Sequence, residues 1–309
     1  MKRTWIGFAL AACSAVAAIA QEGAAPSDLK QVELKGVTLN YIERGSGTPI
    51  VLVHGELDDY RSWLPLLDAF AVNHRVVAVS RRLSYPNQPT AKMANDYSAR
   101  VDGDDLAAFI KKLNLDPAHV VGISYGAYGA LALAAKNPNM VRSLVLSEPP
   151  ILPWLTDIEG GKAHYDAFMD KVWRPTVAGF RNSDAAGLRA ALDGLGAFGY
   201  TVGDQPLSFD GLTPERRAAV EENVAALRAL TQSREPFPEI SQDVVGRVVA
   251  PTLLLAGDRT LPMHKLIDRQ LQRLLPLAQR TSVYNATHAL WREYPEVCSR
   301  LALEFIAKQ

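Results

Sequence analysis

Hydrophobic residues in this chain fall into two alternating patterns. Short runs rich in apolar and β-branched residues occur at 49–53, which is continuous, and at 75–79, 119–121, 141–146, 252–255 and 281–284. Runs of this kind predict strands buried on both faces, as in a parallel sheet. Between them lie stretches with helical spacing. Trp63, Leu66, Leu67 and Phe70 share one face of a helix predicted over 62–70, and Leu106, Phe109, Ile110 and Leu113 share one face of a longer helix within 96–113. Further helices are predicted at 127–135, 266–275 and 294–307. Two short strands, 32–34 and 37–41, flank a turn at Gly36. The alternation stops near 151, where two helices, 163–173 and 214–231, are separated by loops rich in Gly and Pro (Gly194, Gly196, Gly199, Pro236, Pro238). It resumes at 252. The pattern predicts an α/β protein with a doubly wound, mostly parallel sheet formed by 21–150 and 246–309, and a helical cap inserted at 151–245.

Composition narrows the partners. The 309 residues are 48% hydrophobic with a formal net charge of zero. No basic run stands out, which argues against nucleic acid or an anionic membrane surface as the main partner and leaves a small molecule. Lys2 and Arg3, the apolar segment 5–18 and Ala18-Ile19-Ala20 read as a signal peptide over 1–20, too short for a stable membrane span. Export to a periplasm or beyond is the expectation. The alternative is a lipoprotein anchored at Cys13, because Leu10-Ala11-Ala12-Cys13 resembles a lipobox. Cys298 is then the one cysteine of the mature chain, so no internal disulfide is expected. No metal-ligand spacing such as C-x-x-C or H-E-x-x-H is present, and no cofactor is expected. Oligomeric state is left open.

One pentapeptide carries candidate chemistry. Gly122-Ile123-Ser124-Tyr125-Gly126 lies between a predicted strand and a predicted helix. A G-x-S-x-G in that setting forms a sharp turn that presents the serine hydroxyl above the sheet at a helix N-terminus. The glycines on either side allow strand and helix to approach, and the helix dipole favours developing negative charge. His54, Ser124, Glu148, Asp258 and His288 all fall at the carboxyl ends of predicted strands. That is the edge of such sheets where ligands bind.

These pieces, with His54-Gly55, Trp63 and Gly257-Asp258, resemble the α/β-hydrolase superfamily over nearly the whole mature length. Asp59-Tyr60-Arg61-Ser62-Trp63, Ser80-Arg81-Arg82 and Ser147-Glu148-Pro149-Pro150 resemble a bacterial subgroup of generic α/β-hydrolases, without naming a substrate. The resemblance implies a cofactor-free serine hydrolase acting on a small ester or lactone. Ser124 would be the nucleophile and His288 the base. The acid would be either Glu148, after the strand that follows the elbow, or Asp258, after the penultimate strand, where its loop is shorter than usual. Backbone N–H groups of Glu56 and Tyr125 would form the oxyanion hole, with His54 shaping that loop. The Glu56 side chain would face solvent or meet a cationic or hydroxylated group of the substrate. Trp154, Phe168, Trp173, Phe198, Tyr200 and Phe209 are candidates to line the pocket, whereas His74, His119, His164 and His264 have no assigned place. A C–C bond hydrolase on the same triad, or a slow-turnover small-molecule-binding protein, are the alternatives.

Overall fold

The computed structural model describes residues 28–87, 89–90, 94 and 96–309. The signal peptide, the lipobox and Cys13 lie outside the described residues. Eight strands form one sheet: β1 (Lys30–Leu34), β2 (Val37–Arg44), β3 (Thr48–Val53), β4 (His74–Val79), β5 (Ala118–Ile123), β6 (Val141–Ser147), β9 (Thr252–Gly257) and β10 (Ala278–Val283). Their order is β1-β2-β4-β3-β5-β6-β9-β10, parallel from β4 to β10, with β1 and β2 antiparallel at one edge. A two-residue hairpin, β7 (Thr201–Val202) and β8 (Gln205–Pro206), lies in the inserted segment.

The apolar runs between 49 and 255 are explained by burial on both faces; the run predicted at 281–284 is not, because β10 is an edge strand ending at Val283, and Tyr284 is exposed. Val51, Val53, Val77, Val79, Val120, Leu144, Leu146 and Leu254 belong to the core on one side of the sheet. Their chain neighbours Ile50, Leu52, Val76, Ala78, Val121, Val145, Leu253 and Leu255 belong to the core on the other. Each alternate side chain thus has its own layer of helices to pack against. On the second side Trp63 meets Trp291 edge to face, ring centroids 5.2 Å apart. Such a contact adds about 0.5–1.5 kcal/mol beyond area burial, and it ties the segment after β3 to the helix just beyond His288.

Local differences from the predicted elements have identifiable causes. The helix predicted at 62–70 is a 3₁₀ helix over Tyr60–Leu66 followed by a short α-helix over Leu67–Ala71; Pro65 sits inside it and has no N–H for the α pattern. The helix predicted at 214–231 is two, Pro214–Glu222 and Val224–Gln232. The break is at Asn223, which is fully buried: its amide N–H donates to Asp59 Oδ2 at 2.7 Å and its Oδ1 accepts the Tyr85 N–H at 2.8 Å. Satisfying a buried amide outweighs helix continuity there. A 15-residue helix, Asp184–Phe198, stands where glycines suggested loops. Gly194 is a packing position instead: a Cβ there would lie 2.5 Å from the Lys171 carbonyl oxygen of the neighbouring helical turn.

These helices lie between β6 and β9 as a cap. Its returning segment is fastened to the sheet domain. Tyr125 Oη donates to the Pro236 carbonyl at 2.6 Å and Tyr128 Oη to that of Pro238; within the cap, Trp154 Nε1 donates to the Ile240 carbonyl at 2.9 Å. Among the described residues no helix is long and apolar enough to cross a membrane.

Candidate active site

The sharp turn after β5 is built as the pentapeptide requires. Ser124 has φ +50° and ψ −120°, and the helix Tyr125–Lys136 starts at the next residue. A non-glycine residue held there costs about 1–3 kcal/mol. Its surroundings hold it in place: the Ser124 N–H donates to the Ser147 carbonyl at 2.7 Å. A Cβ on Gly122 would lie 2.7 Å from Ala127 Cα, and one on Gly126 would lie 2.7 Å from the Val53 carbonyl oxygen and nearer still to that of His54. Only glycine lets these three backbones pack so closely.

Glu148 also has a left-handed backbone, φ +50°, directly after β6. Its carboxylate is buried and fully used. Oε1 accepts the Gly257 N–H at 2.8 Å, while Oε2 accepts the Thr260 hydroxyl at 2.6 Å and His288 Nδ1 at 2.5 Å. Burial by itself raises the carboxyl pKa, but the hydrogen bond and charge of His288, with the Thr260 bond, hold it below its ordinary value. Donation from Nδ1 leaves Nε2 as the free imidazole nitrogen.

Asp258 occupies a different position. Its carboxylate makes no hydrogen bond to His288, and Oδ1 is buried without a partner. The loop is a single turn closed by Thr260 N–H to the Gly257 carbonyl at 3.2 Å. That turn presents the Thr260 hydroxyl, two residues beyond Asp258, to Glu148. The structure therefore brings His288 together with Glu148 and not with Asp258.

The loop after β3 is fixed by His54 and Arg81. His54 Nδ1 donates to the Gly55 carbonyl at 2.8 Å, and its Nε2 accepts the Arg81 N–H at 3.0 Å. Both ring nitrogens are committed, and burial, with the Arg81 charge, pushes the ring down to about 4. His54 is thus a neutral brace. Glu56 does not face solvent freely: its Oε2 pairs with Arg81 at 2.7 Å, and its side chain is 19% exposed. Arg81 also pairs with the buried Asp102 at 2.8 Å and lies 5.3 Å from the Tyr125 ring centroid. A Cβ on Gly55 would stand 3.5 Å from Ser124 Cβ, so the loop lies against the serine.

A family model for the alpha/beta hydrolase fold matches residues 48–290. The chain belongs to the α/β-hydrolase fold family. A 2-(acetamidomethylene)succinate hydrolase of Mesorhizobium japonicum is 34% identical over 118 residues, which is 38% of this chain and 41% of that one. The chain thus spans less than half the length of the curated relatives it matches. Among solved structures, one described as Est816, an N-acyl homoserine lactone degrading enzyme, aligns with TM-score 0.70 at 22% identity, covering 89% of this chain and 100% of its own. The enol-lactonase of Burkholderia xenovorans aligns with TM-score 0.70 at 17% identity, covering 90% and 100%. These likenesses are of fold.

In this α/β-hydrolase a second histidine, unassigned in the sequence, sits against the first. His264 is stacked on His288, centroids 4.6 Å apart and planes 12° from parallel. Its Nε2 is 2.7 Å from Tyr200 Oη. Tyr200 in turn meets the His288 ring edge to face at 5.1 Å. Complete burial, with the nearby His288, pushes His264 down to about 3, so it is a neutral ring at any pH where the protein would work. One turn along the helix Pro262–Leu274, Asp268 is buried with neither oxygen hydrogen-bonded among the described residues, and burial pushes it up to about 8. Nothing in the spacing of His264 announced this; the one signal was its place at the start of a helix leaving the strand-end edge. Donor atoms of Glu148, His264 and His288 lie within 4.8 Å of one another. Two of these groups are hydrogen-bonded to each other, His288 Nδ1 to Glu148, and His264 Nε2 lies 2.7 Å from Tyr200 Oη. Of the aromatics considered as pocket lining, Trp154 is fully buried, and Phe168 packs on Phe198 and Phe237.

Proposed function

We propose that the protein is a serine hydrolase that cleaves a small ester or lactone through an acyl-enzyme. The observation that carries this reading is the short Glu148–His288 hydrogen bond, 2.5 Å, made beside a strained serine turn. In the proposed reaction Ser124 Oγ attacks the carbonyl carbon while His288 Nε2 takes the hydroxyl proton. The new negative charge on the carbonyl oxygen is met by the backbone N–H groups of Glu56 and Tyr125. The tetrahedral intermediate collapses, the leaving alkoxide takes the proton from His288, and Ser124 is left acylated. Water then attacks the acyl carbon, gives a proton to His288, and the released Ser124 recovers it. Glu148 stays ionised throughout, holding the imidazole with Nε2 free and offsetting the imidazolium charge.

The esterase and lactonase chemistry of the structural neighbours agrees with this reading. A panel of p-nitrophenyl esters and lactones against wild type and Ser124→Ala tests it. Steady turnover that vanishes in the variant is the expected result. One stoichiometric burst followed by silence would mean a slow-turnover binding protein instead.

A further inference from the structure

Asp58 joins three parts of the molecule that meet beside the serine. Its Oδ1 accepts from Arg216 Nη1, in the cap helix Pro214–Glu222, at 2.6 Å, and Arg292 Nη2, four residues after His288, reaches both Asp58 oxygens at 2.6 Å. The location is close to the chemistry. A Cβ on Gly55 would stand 3.5 Å from Ser124 Cβ and 3.9 Å from Asp58 Oδ2.

The charge here is unbalanced. Two guanidinium groups share one carboxylate, and each is engaged through a single nitrogen; among the described residues neither makes another side-chain hydrogen bond. Two other paired arginines are used more fully: Arg61 is shared between two carboxylates, Asp59 and Glu222, and Arg189 grips Asp210 through both terminal nitrogens; Arg228, in the cap, also holds its carboxylate through one nitrogen. Along the seam between cap and sheet domain two carboxylates, Asp59 and Glu222, share Arg61, while two arginines share Asp58 beside the serine, and the charge of Asp59 is also felt at Arg216. The Arg216 side chain is 26% exposed and Asp58 15%, so this pair is partly withdrawn from water, whereas Arg292, at 52%, is the more open of the two arginines. Burial, together with the neighbouring Arg292, lowers the Arg216 pKa despite Asp58. Charged groups withdrawn from water are stable when paired, and a guanidinium fork with free N–H groups matches a carboxylate.

We propose that Arg216 and Arg292, held on Asp58, form a subsite for a carboxylate group carried by the substrate. This deepens the hydrolase reading and rests on it: the substrate class becomes esters or lactones of acids bearing a second, free carboxylate. The unused N–H groups of both forks supply the hydrogen bonds. Because Arg216 belongs to the cap, such a substrate also draws the cap onto the serine.

The test separates binding from turnover. Ser124→Ala protein is titrated calorimetrically with glutarate, and with glutaramide as the neutral control. In parallel, wild type is assayed in a pH-stat with ethyl half-esters of succinate, glutarate and adipate against ethyl esters of the corresponding monocarboxylic acids. The expected results are binding of glutarate and not glutaramide, and a kcat/KM ratio that favours the half-ester. Arg292→Gln and Arg216→Gln, each made with Ser124→Ala for the titration and alone for turnover, should lower that ratio about 10- to 100-fold, the range for charge-assisted hydrogen bonds, with Arg292→Lys intermediate. Melting curves confirm that each variant is folded. The subsite is overturned if glutarate binds no better than glutaramide, if neither Arg variant moves the ratio, or if inorganic phosphate binds Ser124→Ala more tightly than glutarate. Neutral-ester turnover abolished by Ser124→Ala, without preference for the half-ester, sinks this inference and leaves the hydrolase reading standing. Half-ester turnover that survives Ser124→Ala sinks the hydrolase reading itself.

Discussion

Replacing Glu148 by Gln separates the two carboxylates that the sequence offered as partners for His288. The substitution keeps the shape and removes the charge. Glu148 accepts three hydrogen bonds, from Gly257 N–H, Thr260 Oγ1 and His288 Nδ1, at 2.8, 2.6 and 2.5 Å. Gln can satisfy Gly257 with its carbonyl oxygen, but its NH2 then faces two groups that donated before. His288 adapts by presenting an unprotonated Nδ1, which moves its proton to Nε2 and removes the base from the serine side. The lost attraction for the imidazolium in the transition state is worth about 4 kcal/mol for unit charges ~4 Å apart at an effective dielectric constant near 20. That alone is about 10³-fold in rate; with the wrong tautomer the expected loss in kcat is about 10³- to 10⁴-fold. Asp258→Asn, which touches neither ring nor serine, should cost less than about tenfold, a change of under ~1.4 kcal/mol. The assay is kcat on whichever ester the wild type turns over best, with melting curves to confirm folding. Equal losses in the two variants, or a larger one in Asp258→Asn, would refute the reasoning.

Three further outcomes are expected. Asp268 is protonated in the folded protein up to about pH 8, whereas in the unfolded chain it ionises near the ordinary carboxyl value of 3.8. Between these limits the folded state binds the extra proton, so stability falls as pH rises; Asp268→Asn should raise the melting temperature, by more at pH 8 than at pH 5, through a gain of up to about 5 kcal/mol, and an equal gain at both would contradict it. Arg81→Gln strips the buried Asp102 of its charged partner, leaving only the Tyr97 hydroxyl among the described residues, and should destabilise by about 3–5 kcal/mol in denaturant titrations, and a cost under about 1 kcal/mol would remove Arg81 as the brace of the loop after β3. Gly122→Ala forces a methyl group onto the Ala127 backbone, which cannot swing aside, and should cost at least about 1–3 kcal/mol, read in the same titration.

The sheet was legible because its strands carry apolar runs that only two-sided burial explains, and the serine turn because its glycines sit where three backbones meet. The acid was narrowed to two carboxylates and no further. What distinguishes them is a contact between β6 and the loop after β10, together with the direction of the Gly257–Thr260 turn, and neither is written in local spacing. His264 was invisible for a related reason: stacking on His288 depends on how a helix after β9 docks against a loop after β10. The cap was the least legible part. Its longest helix, Asp184–Phe198, carries glycines as packing positions, and its broken helix at Asn223 answers to a hydrogen bond with Asp59, 164 residues away along the chain.

The fastening of 236–238 by Tyr125 and Tyr128 makes one leg of the cap a strut and not a hinge. Tyr125 is the residue directly after the serine, and its hydroxyl grips that strut. A tug on the strut is therefore transmitted, through one aromatic side chain, to the first residue of the helix Tyr125–Lys136. Substitutions far out in the cap that strain this leg would register as misplacement at the serine turn, while changes on the free side of the cap would leave that turn undisturbed.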